Sequence, residues 1–132
     1  MSQPLSGLRV VDLSGLACAY GTRLMASMGA EVIKVEHPEG SRLRRLAPFA
    51  PTAPKGEGGL WWAFLAMGSK SVVIDPGTTD GADRLGTLLA TADVVVDDHG
   101  PDILAEAGFG YDDVSVNNPG VIWVSITPFG LT

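Results

Sequence analysis

The side chains of this sequence with chemistry to offer are one cysteine, two histidines and a series of carboxylates set at the ends of apolar runs. Cys18 stands near the start of an apolar helical stretch, where a helix dipole would lower a thiol's pKa and make a nucleophile. A lone cysteine in such a stretch is more simply a packing residue, and with neither histidine placed beside it that reading leads. His37 and His99 each follow an apolar run, which in a parallel sheet puts them at strand carboxyl ends, where sites form. Without a fixed partner each also reads as an ordinary loop histidine. Asp97 and Asp98 are adjacent, so an extended chain points them to opposite faces and they are not a ready-made acid–base pair. Asp75, ahead of Pro76 and Gly77, reads as a turn residue. Trp61, Trp62, Phe64 and Leu65 could stack on an adenine ring or line an acyl tunnel, but at helical spacing they read first as core.

One constellation invites a dinucleotide cofactor. Asp12 ends an apolar run, Gly15 follows, and Glu36 ends the next run at about the distance of a ribose-binding acid. The glycine fingerprint fails, because Ala17 and Tyr20 stand where glycine would let backbone approach a pyrophosphate. NAD is therefore not expected. What survives is a helix amino terminus near residues 16–18, whose free N–H groups can face an anion or a carbonyl.

The elements that must position these residues alternate in type. Residues 8–13, 31–36, 71–75, 93–98 and 121–126 read as five strands, apolar enough to be buried on both faces and so paired in parallel. Residues 17–29 and 79–92 carry apolar side chains at helical spacing, with Gly29 stopping the first helix and Asp80 capping the second. Residues 103–120 supply short helical turns that end before Pro119. The fold class is α/β, a right-handed Rossmann-like parallel sheet with crossover helices. Residues 37–59 break the rhythm with four prolines, four glycines and five basic side chains. That segment reads equally as a ligand-binding loop or as a solvated excursion.

Composition bounds the partners. The 132 residues suit one unit with a buried core, and the net charge of −6 argues against a nucleic-acid footprint, although Arg42, Arg44 and Arg45 could receive one anionic ligand. A single cysteine offers neither a disulfide nor paired metal-ligand spacing, so no metal is expected. No apolar run approaches the roughly 20 residues of a membrane span. The first residues have neither a basic leader nor a cleavage-site pattern, so the expected location is the cytoplasm.

The sequence resembles a known family over nearly all its length. PLSGLRVVDLSGL at 4–16, followed by a helix and MGAEVIKVEHPEG at 28–40, is similar to the opening of family III CoA-transferases, which include formyl-CoA transferase, carnitine CoA-transferases and α-methylacyl-CoA racemase. The similarity continues through KSVVIDPG, DDHGPDILAEAGFGYDD and NPGVIWVSITPFGLT, in the family's order and spacing. The resemblance implies that residues 1–132 are the amino-terminal CoA-binding segment of a larger two-domain fold. It further implies that two subunits interlock as a homodimer, or that this segment pairs with the remaining part of its own chain, and that coenzyme A or an acyl-CoA and carboxylic acids are the substrates. It implies contacts to CoA from the turn at Leu16 and Ala17, from His37, from Ala66, Met67, Gly68, Ser69 and Lys70, and from Asp98, His99 and Gly100. The catalytic residue, an aspartate in the transferases, falls beyond Thr132 by the same resemblance.

Several positions depart from the family pattern: Ala66 for asparagine, Ser69 for lysine, Asp98 and His99 for Asn-Phe, and Ala19 and Tyr20 for Gly-Pro. Each charged hydrogen bond lost to CoA would cost about 1–3 kcal/mol if nothing replaced it. The expected function is therefore CoA binding within a CoA-transferase. An α-methylacyl-CoA racemase or a non-catalytic acyl-CoA-binding or subunit-pairing segment stands as the alternative.

Overall fold

The computed structural model describes residues 3–54, 58–100 and 102–130. Lys55 of the basic loop, Pro101 of the turn after the fourth strand, and Leu131 and Thr132 of the last family segment lie outside the described residues. The β-branched runs form five strands: β1 Arg9–Asp12, β2 Glu31–Glu36, β3 Lys70–Val73, β4 Val94–Asp97 and β5 Ile122–Ser125. They make one sheet in the order β3-β2-β1-β4-β5, every pair parallel. The chain winds outward through β2 and β3, then crosses back to β4 beside β1. The strand order therefore reverses between β1 and β4, which in open parallel sheets is where a crevice opens at the strand carboxyl ends.

Alternation along the strands divides the core. Val10, Val32, Val94 and Val96 face Cys18, Met25 and Ala26 of helix α1, Leu16–Ser27. Val11, Leu13 and Val95 face Leu85 and Leu89 of helix α3, Thr79–Ala90, and Val114 of helix α5, Tyr111–Asn117. A smaller cluster joins Ala19 of α1 to Leu43, in a 3-10 turn at Arg42–Arg45, and to Leu65 of helix α2, Leu60–Leu65. A four-residue helix, α4, spans Ile103–Glu106. Helices on both faces of a parallel sheet are what right-handed crossovers produce.

Burial on both faces holds for β1 and β4 and fails at the sheet edges, where Val73 is 50% and Ile122 61% exposed. Edge strands have a neighbour on one side only, so composition cannot tell which apolar residue ends up covered. The cap of α3 is also corrected. Thr78, not Asp80, is the N-cap residue, its hydroxyl accepting the Gly81 N–H at 3.1 Å. Asp80 lies in the first turn and sits 3.8 Å from Arg84. Gly29 does end α1, with φ +100° and its N–H bonded to the Ala26 carbonyl. The aromatic segment splits rather than packing as core. Leu65 is buried and Trp62 partly so, while Leu60, Trp61 and Phe64 are exposed. Nor is the 37–59 segment structureless, since it carries the 3-10 turn and an antiparallel bridge between Phe49 and Gly59.

Candidate functional site

The carboxyl ends of the inner strands gather most of the residues singled out by sequence. Leu16 and Ala17 open α1 immediately after β1 and are exposed. His37 follows β2, and Asp98, His99 and Gly100 follow β4. His37 and His99, more than sixty positions apart, line one cavity of about 160 Å³ with Leu13, Val35, Ile74, Leu85 and Leu104. A larger open groove of about 560 Å³ runs beside α3, between Ile33, Val72 and Leu88, and contains none of the nominated residues. The candidate site is the carboxyl edge of the sheet, where His37 and His99 share a cavity.

Asp98, Asp97 and Asp75 at this edge are already engaged. Asp98 turns toward α1, where its Oδ1 accepts the Gly15 N–H at 2.9 Å. Asp97 turns instead to β5. Its Oδ2 accepts the Ser125 hydroxyl at 2.7 Å and the Trp123 indole N–H at 3.3 Å, and its Oδ1 accepts the His99 backbone N–H at 2.8 Å. The two aspartates thus serve different neighbours, as adjacent residues of an extended chain must. Asp75 Oδ1 accepts the Gly77 N–H at 3.0 Å, the turn role expected of it. Cys18 is core: it is buried, and burial pushes its thiol up, the opposite of an activated nucleophile.

Glu36 is the acid whose spacing from Asp12 suggests a ribose contact. The acid that would meet a ribose is 3% exposed and bound on all sides. Arg44 grips it with Nε at 2.7 Å and Nη2 at 2.8 Å, the Ser41 N–H donates at 2.7 Å, and the Ser71 hydroxyl donates as well. The Arg44 guanidinium also lies 3.9 Å over the Trp62 ring. The basic loop is thereby pinned to β2, β3 and α2. Burial by itself would raise the Glu36 carboxyl, but these hydrogen bonds outweigh it and hold the pKa at about 2. A depressed carboxylate contributes stability that is present above its unfolded value near 4.5 and is lost as pH falls toward 2. Urea unfolding from pH 6 to pH 3 is expected to cost the native chain about 2 kcal/mol more than Glu36→Gln loses. Equal losses would remove Glu36 from the acid response.

Ala66, Met67, Gly68, Ser69 and Lys70 lie elsewhere. They enter or begin β3 and so stand at the amino edge of the sheet, opposite the histidines. Lys70 is exposed and bonds Glu31 at 2.6 Å, and Lys70 first, then Arg9, holds the Glu31 carboxyl below its ordinary value. The two groups are linked by α1, whose twelve residues span about 18 Å. Its exposed Leu16, Tyr20 and Leu24 form a stripe at four-residue spacing. Tyr20 stacks on Phe64 of α2 with centroids 6.5 Å apart, and the Arg23 guanidinium lies 4.1 Å over the same ring.

Sequence reasoning missed one buried charged group, Asp12 with Lys34, both nearly inaccessible. The signal was present in EVIKVE, where Lys34 shares the strand face of Val32 and Glu36 and so falls on an inward-facing position. A lysine there demands an acidic partner.

The sequence profile of CoA-transferase family III matches residues 5–132. Succinate–glutarate CoA-transferase of Agrobacterium fabrum is 40% identical across 98% of this chain and 33% of its own length. The BbsE subunit of succinyl-CoA:(R)-benzylsuccinate CoA-transferase from Thauera aromatica is 33% identical across all of this chain and 32% of its own length. A CAIB/BAIF family protein from Brucella suis superposes with a TM-score of 0.91 at 35% identity, over 100% of this chain and 35% of that one. A hypothetical protein of Mycobacterium tuberculosis does so with a TM-score of 0.85 at 32% identity, over 97% of this chain and 34% of that one. The chain spans about a third of the length of the curated relatives it matches. With the profile spanning the sheet, the β1–α1 turn and the edge that gathers His37, Asp98 and His99, the chain belongs to CoA-transferase family III.

Proposed function

We propose that the protein carrying this chain moves coenzyme A between carboxylic acids, and that these residues bind the CoA moiety. The observation that carries the reading is family membership across residues 5–132 on a sheet whose reversal point opens beside Leu16 and Ala17. Relatives are named for succinate, glutarate, malate and mesaconate, so dicarboxylic acids are the substrate class we propose. The thioester end sits at Leu16 and Ala17, whose leading N–H groups are not used by a side-chain cap. The nucleotide end follows the Leu16–Tyr20–Leu24 stripe toward Met67, Gly68 and Lys70, so that one long ligand reaches both groups. His37, His99 and Gly100 border the acyl side. Neither a metal nor NAD takes part in this reading.

The chemistry is acyl exchange through a carboxylate held elsewhere in the protein. An aspartate attacks the thioester carbonyl, CoA thiolate leaves, and a mixed anhydride forms. The thiolate then attacks the aspartyl carbonyl of that anhydride, releasing the donor acid and leaving an enzyme–CoA thioester for the acceptor to enter in reverse. Support for placing the nucleophile outside these residues comes from Asp12, Asp97, Asp98 and Glu36, each already holding N–H or O–H donors. A second copy of the protein, or the remaining part of its own chain, is proposed to cover the apolar residues left bare on and just after β5, Ile122, Val124 and Ile126. The proposed location is the cytoplasm; among the described residues no helix is long and apolar enough to cross a membrane.

The test is an assay of the protein at its natural length with succinyl-CoA and glutarate. Glutaryl-CoA and succinate are expected in equal amounts. Release of free CoA with no new thioester would contradict transfer, as would α-proton exchange in a 2-methylacyl-CoA without it.

A further inference from the structure

We propose that Asp12 and Lys34 are positioning residues, their buried ion pair fixing the β1–α1 turn that receives the thioester end of CoA. The inference rests on the ligand placement just given, but on a different set of atoms. Asp12 is 1% and Lys34 4% exposed. Asp12 Oδ1 accepts both the backbone N–H of Ser14 at 2.9 Å and its hydroxyl at 2.5 Å. Asp12 Oδ2 accepts the Thr22 hydroxyl of α1 at 2.6 Å and the Lys34 ammonium of β2. Lys34 Nζ lies also 3.1 Å from the Thr22 hydroxyl.

Four donors converge on one side chain, and only the carboxylate form has acceptor sites for all of them, since a protonated acid would have to donate one. Lys34 supplies the positive charge that makes such a carboxylate tolerable in the core. The turn is then tied twice. Asp12 holds Ser14 to β1, and Asp98 holds Gly15 to β4. Leu16 and Ala17 follow at once and face outward.

Stability alone does not call for this pair, because apolar residues of similar volume usually serve a core as well or better. What such residues cannot do is accept the Ser14 N–H and hydroxyl. A turn set to within a fraction of an ångström matters where a reacting carbonyl must be aligned, and matters less for the distant nucleotide.

The experiment compares two ligands in the natural-length protein by calorimetry: succinyl-CoA, and adenosine 3′,5′-bisphosphate, which has CoA's nucleotide end only. The pair replacement Asp12→Leu/Lys34→Met keeps the core apolar. It is expected to keep its bisphosphate affinity while binding succinyl-CoA about tenfold more weakly. Ser14→Ala leaves the ion pair intact and covers the case in which the double variant does not fold. It should weaken succinyl-CoA about threefold with the bisphosphate again unmoved. Unchanged succinyl-CoA affinity in the folded variants would overturn the positioning role, and so would equal weakening of both ligands, which marks a general structural defect. If the unaltered protein binds neither ligand, the CoA placement itself falls and takes this inference with it.

Discussion

Asp12→Ala, with Lys34 left in place, is expected to lower the unfolding free energy by about 3–5 kcal/mol. The loss comes less from the missing attraction than from what remains, an ammonium buried on β2 whose acidic partner has gone. The Thr22 hydroxyl would still face Lys34 Nζ, and a hydroxyl cannot balance its charge. The Ser14 N–H and hydroxyl lose their acceptor in the same change. Asp12→Leu/Lys34→Met should recover most of this loss, because it removes both charges together. Urea unfolding of the two variants checks the pair. A double variant as unstable as the single one would mean that the cost lies in packing. Lys70→Ala removes an exposed partner of Glu31 and should change stability little.

Much of this architecture was legible, because strand composition and helix period are local properties. The five β-branched runs became the five strands within a residue or two, and both long helices formed where apolar spacing put them. What failed depended on neighbours in space. The strands at 71–75 and 121–126 read as buried on both faces, yet they became edges, so Val73 and Ile122 stayed bare. Trp61 and Phe64 carried a core-like pattern, but α2 is short and turns Trp62 and Leu65 inward instead. Thr78 won the α3 cap from Asp80 because its hydroxyl sits three residues ahead of the Gly81 N–H. Gly81 is required there for another reason, since a Cβ would collide with the Asp75 carbonyl.

The site was legible in part. Placing His37 and His99 at strand carboxyl ends was enough to bring both to the edge, and their common cavity then followed from the fold. The spacing of Asp12 and Glu36 suggested a ribose-binding acid. Spacing cannot reveal that Arg44, Ser41 and Ser71 would occupy Glu36 instead. Nor could it show that the two groups of CoA contacts implied by the family resemblance lie at opposite edges, joined by the length of α1.

The second large effect concerns catalysis. Residues 1–132 alone are expected to show no CoA transfer above background, whereas the natural-length protein turns over. Acyl exchange needs a carboxylate free to attack and aligned on the thioester carbonyl. Asp12 and Asp97 are buried, and Asp98 is held on the Gly15 N–H at the turn itself. Freeing any of them would sacrifice a hydrogen bond that shapes the site. Transfer by the isolated segment, shown by mass spectrometry to be free of longer homologues and abolished by Asp98→Asn, would identify Asp98 as the nucleophile and overturn the placement of catalysis elsewhere.

Binding is the most direct measurement of what these residues do. Calorimetric titration of the natural-length protein with coenzyme A and, separately, with NAD asks whether the β1–α1 turn serves a thioester carrier or a dinucleotide. Saturable heat with CoA and none with NAD is expected, because Glu36 is committed to Arg44 and Ala17 and Tyr20 replace the fingerprint glycines. Saturable binding of NAD with no heat from CoA would contradict the assignment of this edge to coenzyme A.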